Sequence, residues 1–505
     1  VSGFVLPIAF SLLRFVPWPA YWISKFNAIF IYPPALGSRH NQAILGIAHV
    51  PTRGQAFFIL YLITINVVLS SVGYHSKQPN GWYTSPSNEI MTYVTNRVGV
   101  LSFANVPLLI LYAGRNNILL QLTNWSHGTF LLLHRWVAFL CTVEAVIHSA
   151  IYLKLDVANA SFSGESKLPY WIWGSVATLG MSILLLTSIY PLRRSMYELF
   201  LAWHIALSIL IVVGCYLHIL YRFQHQWGYE VWMFVAMAVW GFDRVMRVAK
   251  LARNGLKTAT VTAIDENYVR VDVDGVFGDG HAYLYFPTLT WRVWENHPFS
   301  VASSILMPTS RVEENPDSSS LDIEKSSVDA AQKQTILSSP TGTSISSTHA
   351  KPGMTFFIRT RTGLTSKIRH RTSFPVLVES PYSSRTDLSE YSHLICIAGG
   401  VGITAVLPYL RSRQGRKKLL WGVRKTAIVD EMSSELKGVD TTVFIGERMN
   451  VRESLTREIE GIRGPEKVVV VSSGPEELAD SIRREVTVLA RQGLVITLLE
   501  EAFDY

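Results

Sequence analysis

LLLHRWVAFLCTVEAVIHSAIYL (residues 131–153) and LAWHIALSILIVVGCYLHIL (residues 201–220) each hold two histidines within a strongly apolar run. His134 and His148 lie in the first, His204 and His218 in the second, and both intervals are fourteen residues. Fourteen residues is close to four turns of α-helix, so the two imidazoles of each run return to within about 40° of one face and stand roughly 21 Å apart along the axis. That separation fits inside a hydrocarbon core about 30 Å thick. A histidine in a bilayer is costly and faces the protein interior. One such residue is explained equally well by a hydrogen bond to a neighbouring helix. Four at one interval on two helices ask for a shared ligand that takes two imidazoles from opposite sides. Metal ions held directly in bundles draw on i, i+3 or i+4 spacings, so two stacked haems, each with two axial histidines, match better.

Composition places these runs in a larger membrane half. Of 505 residues 49% are hydrophobic and 17% charged, and the charges are sparse before about residue 245 and frequent after it. About seven spans are predicted, at residues 1–16, 56–72, 93–113, 130–153, 171–190, 199–220 and 231–248. The first is short and carries Arg14. The net charge of +8 does not call for nucleic acid, because the basic residues flank spans, as in PLRRSMYE and DRVMRVAKLAR. Basic connections (SRHNQ and PTRGQ before the second span, RNN after the third, PLRR after the fifth, the end of the seventh) are placed on the cytoplasmic face. Both histidine helices then run outward, so His134 pairs with His204 at the inner leaflet and His148 with His218 at the outer. The sequon at Asn159 falls outside and is a predicted glycosylation site, whereas the sequon at Asn124 falls inside. Three cysteines, Cys141, Cys215 and Cys396, form neither a disulfide framework nor a CxxC metal site. The chain begins at Val1 with no cleavable signal pattern; a truncated or a processed N-terminus each accounts for that.

Past residue 258 the pattern changes. TATVTAIDENYVRVDV and HAYLYFPTL alternate as strands around a DGVFGDG turn, which predicts a small β-barrel or sheet domain. Residues 306–352 are rich in Ser, Thr, Pro, Asp and Glu and read as a disordered insert. After Ser392, apolar runs (LICIAG, KLLWGV, TTVFIG, KVVVVSS, GLVITLLE) alternate with helical text, the signature of buried parallel strands in an α/β domain. Gly399-Gly400-Val401-Gly402-Ile403-Thr404 follows the first of them and leads into a helix, an arrangement whose backbone N–H groups cradle phosphate. It is not a GxGxxG fingerprint. A nucleotide is therefore implied more firmly than its type.

Five motifs now stand in order: Asn96-Arg97-Val98-Gly99 with LLILYAGRNN, the four histidines, His297-Pro298-Phe299-Ser300, GGVGIT, and Ser473-Gly474-Pro475. In that order they resemble the fungal ferric reductase (metalloreductase) transmembrane family, which is related to the NADPH oxidases, from about residue 41 to the C-terminus. The resemblance implies a transmembrane domain with two haems b (residues 1–250), an FAD-binding β-barrel (251–384) and a ferredoxin-reductase-like α/β NADPH-binding domain (385–505). For FAD it implies His297, Pro298, Phe299 and Ser300, with Arg359, Gly363, Leu364 and Thr365 at the pyrophosphate and Phe503 over the flavin face. NADPH is assigned Gly399, Gly400, Val401, Gly402, Ile403 and Thr404, then Trp421 and Arg424, Gly446 and Arg448, and Ser473, Gly474 and Pro475. Arg424 suits a 2′-phosphate and hence NADPH over NADH. Two departures are evident. Ser473 stands where the family usually has Cys, and Ser380-Pro381-Tyr382-Ser383 replaces a glycine-flanked Pro-Tyr segment.

The implied activity is ferric-chelate reduction across a membrane: electrons from cytosolic NADPH pass through FAD to the inner haem, then the outer haem, then external Fe(III). A flavin matches a two-electron donor to one-electron acceptors, so no catalytic acid, base or nucleophile is nominated. Fe(III) chelates outside, Cu(II) as a further acceptor, the lipid bilayer, and a multicopper oxidase/permease uptake system are the implied partners, with the plasma membrane as the expected location. External loops at 74–88, 156–169 and 221–229 hold His75 and His225 as candidate iron contacts. Two alternatives stay open. One is an NADPH oxidase that makes superoxide from oxygen; the other is a haem-binding membrane scaffold or transporter whose reductase half is degenerate.

Overall fold

The computed structural model describes residues 1–43, 49–83, 85–306, 351–361, 363–382, 386–413, 415–460, 462 and 466–501. The N-terminal half is helical: α1 (Ser2–Leu12), α2 (Ala20–Phe26), α3 (Arg53–Ser71), α4 (Pro86–Ala113), α5 (Ile118–Leu122), α6 (His127–Ala158), α7 (Phe162–Glu165), α8 (Pro169–Thr187), α9 (Tyr190–Ser195), α10 (Tyr197–Phe223) and α11 (Val231–Asn254). Local chemistry starts these helices where they start. Thr52 and Gln55 form a reciprocal capping box on α3, Ser85 caps α4 ahead of Pro86, and Ser126 caps α6 through the Thr129 N–H. Gly255, at φ +65°, ends α11 and hands the chain to the first strand.

Among the described residues, α3, α4, α6, α8 and α10 are long and apolar enough to cross a membrane. Two of the seven expected spans differ from these. Helix α1 has eleven residues with Pro7 inside, roughly half of a hydrocarbon thickness. Helix α11 is apolar only in its first half, because Asp243, Arg244, Arg247, Lys250 and Arg253 fill the second. Helix α4 packs along α6, α8 along α10, and α11 against α4. Outer faces present exposed apolar side chains such as Leu179, Leu186, Leu199 and Val213, as suits a surface whose solvent is lipid.

Among the described residues, twelve strands follow in two sheets. The first is an antiparallel, curled half-barrel of β1 (Leu256–Ala263), β2 (Tyr268–Asp274), β3 (His281–Tyr285), β4 (Asn296–Ser300), β5 (Ser303–Leu306), β6 (Lys351–Arg359) and β7 (Ser373–Tyr382), in the order β4-β3-β7-β1-β2-β6-β5, with α12 (Leu364–Ile368) before β7. Its core is Val-rich: Val269, Val271, Val273, Leu284, Phe286, Phe356 and Val376. Strands β5 and β6 pair directly, Leu306 against Lys351, so the Ser-rich insert leaves and re-enters at one sheet edge; residues 307–350 lie outside the described residues.

The second sheet is parallel, β8 (His393–Gly399), β9 (Arg416–Val423), β10 (Asp440–Ile445), β11 (Val468–Ser473) and β12 (Ile496–Glu500), in the order β10-β9-β8-β11-β12. Helices α13 (Ile403–Ser412), α14 (Ala427–Met432), α15 (Val451–Ile459) and α16 (Glu476–Gln492) connect its strands. The order reverses between β8 and β11, and in open α/β sheets ligands bind outside the strand ends at that switch.

An N-terminal strap covers the free edge of β12. Ser24 Oγ donates to Leu494 and Ile496 carbonyls and accepts from the Ile496 N–H, while the Leu498 N–H donates to Tyr32 Oη. Asp480 on α16 accepts three successive backbone N–H bonds, from His40, Asn41 and Gln42. An exposed strand edge invites wrong pairing; here side chains of the strap satisfy it.

Candidate functional site

The histidine helices meet as their spacing predicts. Ring centroids of His134 and His204 are 6.2 Å apart, and those of His148 and His218 are also 6.2 Å apart. A metal–imidazole bond is about 2 Å, so two such bonds plus the reach from each ring nitrogen to its centroid span about 6 Å. Both pairs have the separation that one iron between two imidazoles needs. Three of the four rings are held from behind. His134 Nδ1 donates to the Leu109 carbonyl at 2.9 Å, His148 Nδ1 to Thr95 at 2.8 Å, and His218 Nδ1 to Tyr170 at 2.8 Å. A carbonyl only accepts, so each of these rings carries its proton on Nδ1 and leaves Nε2 as the nitrogen for a metal. The residues present therefore fit bis-histidine haem at both levels.

Glycines make room for two of these rings. A Cβ on Gly99 would lie 2.6 Å from His148 Nδ1, and one on Gly174 2.6 Å from His218 Nδ1. This accounts for the Asn96-Arg97-Val98-Gly99 motif. Asn96 accepts from Tyr152 Oη, Arg97 donates to the Val72 carbonyl at 2.6 Å, and Gly99 admits the imidazole.

From the His134–His204 pair a cavity of about 4510 Å³ runs into the half built of sheets. His134 and His204 line it together with His297, Pro298, Phe299 and Ser300 on β4, with Arg359 and Thr365, with Gly399, Gly400, Val401, Gly402 and Thr404, and with Arg424, Gly446, Arg448, Ser473, Gly474 and Pro475. The two glycine-rich turns belong to β8 and β11, on either side of the order reversal. They touch: a Cβ on Gly402 would sit 2.5 Å from the Ser473 carbonyl oxygen, and one on Gly399 would sit 2.6 Å from Pro475 Cδ. Gly400, at φ +56°, turns the chain there. Bare backbone at a switch point, with arginines on the rim, suits a dinucleotide.

Several expected contacts sit elsewhere. Trp421 is fully buried under the glycine turn, where its indole N–H donates to the Gly400 carbonyl at 2.9 Å. It props the turn from below because both faces of a parallel sheet are covered. Ile403 and Leu364 are likewise core residues, and Gly363, at φ +92°, precedes α12 away from the cavity lining. Arg448 does line the cavity, where it is exposed and pairs with Glu477 at 3.0 Å. Phe503 lies outside the described residues.

What sequence reading missed is the seam between the halves. Glu379 on β7 has no exposed surface, and its carboxylate takes Arg247 Nε at 3.1 Å, Tyr285 Oη at 2.6 Å and Tyr382 Oη, with Arg115 Nη1 at 3.5 Å. Arg115 also donates to Asn296, the residue before His297, at 2.7 Å and lies over the Tyr283 ring. Burial beside the Glu379 carboxylate pushes the Tyr382 phenol up, and burial pushes the neighbouring His281 down to about 3. A glutamate in the middle of the apolar strand VLVES was the available signal.

Residues 98–215 match the family described as "Ferric reductase like transmembrane component". The chain is 27% identical over 415 residues to a probable ferric reductase transmembrane component of Candida albicans, covering 78% of this chain and 55% of that protein. To ferric/cupric reductase transmembrane component 2 of Saccharomyces cerevisiae it is 25% identical over 379 residues, covering 73% and 48%. It thus spans about half the length of the curated relatives it matches. A solved NADH-dependent reduced ferredoxin-NADP oxidoreductase overlaps 49% of this chain and 76% of its own, at a TM-score of 0.32 and 11% identity.

Proposed function

We propose that this chain is a member of the fungal ferric reductase family, which it resembles over residues 98–215 and beyond, and works as a multi-pass NADPH-dependent ferric-chelate reductase of the plasma membrane with its two sheet domains in the cytosol. The observation that carries the reading is the pair of 6.2 Å histidine gaps, the inner one opening into the cavity lined by β4 and by both glycine-rich turns. When bound, NADPH, FAD and two haems b would supply a hydride donor, a two-to-one electron converter and two one-electron carriers leading to Fe(III) outside, and to Cu(II) as a further acceptor.

The chain's own residues hold and orient those groups. His134 and His204 serve the inner haem, His148 and His218 the outer. His297, Pro298, Phe299 and Ser300 offer a strand edge to the flavin, and Arg359 and Thr365 stand where its phosphates need donors. Gly399 to Gly402 and Ser473 to Pro475 give the nicotinamide nucleotide two touching backbone turns, with Arg424 on the rim for a 2′-phosphate. The histidine pairs are stacked along one axis, so the protein's task is to keep carriers in line. Asn159, exposed at the C-terminal end of α6, is the proposed glycan site, and reductive iron uptake with a multicopper oxidase/permease partner is the proposed setting.

The test uses purified full chain loaded with haem and FAD, without oxygen. NADPH should bleach the flavin and reduce both haems, and Fe(III) chelate should reoxidise them with NADPH consumption matched to Fe(II) formed. Flavin bleaching with haems left oxidised would sink the relay. Superoxide output equal to NADPH consumption in air, with no Fe(III) dependence, would replace this reading by that of an oxidase.

A further inference from the structure

The two histidine-bearing helix pairs are built on one plan, and the plan is broken at one place. In α4 and α6 the Thr95 carbonyl holds His148, and fourteen residues further along α4 the Leu109 carbonyl holds His134, fourteen residues back along α6. Helices α4 and α6 run antiparallel, so those two steps return to the same relative position. The same plan begins in α8 and α10, where the Tyr170 carbonyl holds His218. The glycine notch repeats too, four residues after the accepting carbonyl in each case, Gly99 after Thr95 and Gly174 after Tyr170. Further along, Gly180 faces Ile211, as this antiparallel register requires.

Fourteen residues beyond Tyr170 is Leu184, and fourteen before His218 is His204. The plan therefore pairs the Leu184 carbonyl with His204 Nδ1. That bond is not made. Thr187 Oγ1 donates instead, shared between the Ile183 carbonyl at 2.8 Å and the Leu184 carbonyl at 3.3 Å, and His204 Nδ1 is buried without a hydrogen-bond partner. The physical reason lies in the helix end. Helix α8 stops at Thr187, so its last carbonyls have no intrahelical donor, and a Thr hydroxyl three or four residues on is a ready local competitor.

We propose that Thr187 is a positioning residue: by occupying the Leu184 carbonyl it keeps His204 the one unanchored axial imidazole of the four and so sets the inner haem site apart from the outer. An Nδ1–H bond to a carbonyl raises the basicity of the metal-bound nitrogen and fixes the ring plane. A ligand without it donates less charge, favours ferrous over ferric iron, and raises the potential of its site. With haem bound, the site held by His134 and His204 would then be the easier of the two to reduce. This inference rests on the haem reading above.

The experiment is an equilibrium redox titration of the purified, haem-loaded full chain, followed by optical and low-spin EPR signals, for the native protein, Thr187→Val, Thr187→Ala and Thr187→Ser. Valine and alanine remove the donor and free the Leu184 carbonyl for His204. One haem component should move to lower potential with a changed low-spin signal while the other stays in place, and serine, which keeps the hydroxyl, should match the native protein. If valine and alanine leave both components where they were, or move both together, the inference is overturned while the haem reading stands. A native protein that holds no pair of low-spin haems overturns the reading itself, and this inference with it.

Discussion

The helical half and the α/β half make their sites by opposite means. In the helices, the proposed haem sites are side chains that project from regular backbone: four histidines, three of them braced by carbonyls of a neighbouring helix, two admitted by glycine notches. In the parallel sheet, the proposed nucleotide site is the backbone itself, at two turns after β8 and β11 that press against each other, with the Trp421 indole beneath one of them. The difference teaches where each half is fragile. A helix tolerates change everywhere except where a ring must fit, whereas a strand-end turn tolerates little because its atoms are the binding surface.

The largest test of this contrast is loss of a ligand. His148→Ala is expected to cut bound haem from two to one per chain and to leave FAD and NADPH binding intact, read by haem and flavin absorbance per polypeptide. Retention of both haems would mean that the 6.2 Å gap is not a ligand pair. Next in size is the notch. Gly99→Ala places a methyl 2.6 Å from His148 Nδ1, a ring whose Nδ1 is already tied to Thr95, so the outer haem should be lost or loosely held. Gly241→Ala, on α11 with nothing within 4 Å of its Cβ, should keep both haems. Equal behaviour of the two alanines would refute the notch.

In the sheet half the expected effects are smaller and fall on the nucleotide. Gly402→Ala drives a Cβ to 2.5 Å from the Ser473 carbonyl oxygen, which backbone cannot easily yield, so KM for NADPH should rise at least about tenfold, about 1.4 kcal/mol, at unchanged haem content. Trp421→Phe removes one buried N–H bond to Gly400, worth about 1 kcal/mol, and should raise KM about fivefold. A Trp421 variant that loses NADPH binding outright would return that side chain to the contact surface.

How far these sites could be read from sequence follows the same division. Side chains on regular helices repeat with the helix, so a fourteen-residue interval, with basic connections that set both helices running the same way, paired His134 with His204 and His148 with His218. The glycine turns were legible as motifs, because strand, turn and helix are local. Trp421 was misplaced for the opposite reason: in a strand covered on both faces, no alternation separates a residue that faces the ligand from one that supports it. The glutamate in VLVES marks Glu379 but not its partners, and the Asp480 strap has no local mark. Arg115 and Glu379, like His40 and Asp480, stand hundreds of positions apart, and nothing in the local text near His40 announces that a carboxylate on α16 will collect its N–H group.

That strap joins the N-terminal helices to the parallel sheet, and it allows the most local test of whether the two halves move independently. His40 Nδ1 donates to the Val50 carbonyl at 2.6 Å, and burial, with Arg483 nearby, pushes the ring down to about 4 from the ordinary 6.5. A base with a lowered value in the docked state holds that state best when neutral. The undocked chain binds the proton more readily between pH 6.5 and about 4, so docking is fully supported above 6.5, weakens as pH falls through this window, and changes no further below it. Over that span the effect is at most about 3 kcal/mol. The amides that report it are Ile496 and Leu498, which Ser24 and Tyr32 cover. Their hydrogen-exchange protection, corrected for intrinsic rate, should fall between pH 7 and pH 5, and His40→Gln should flatten the dependence. Protection that stays constant with pH in the native chain, or a dependence that survives in the glutamine variant, would take His40 out of the strap and leave Asp480 as its anchor.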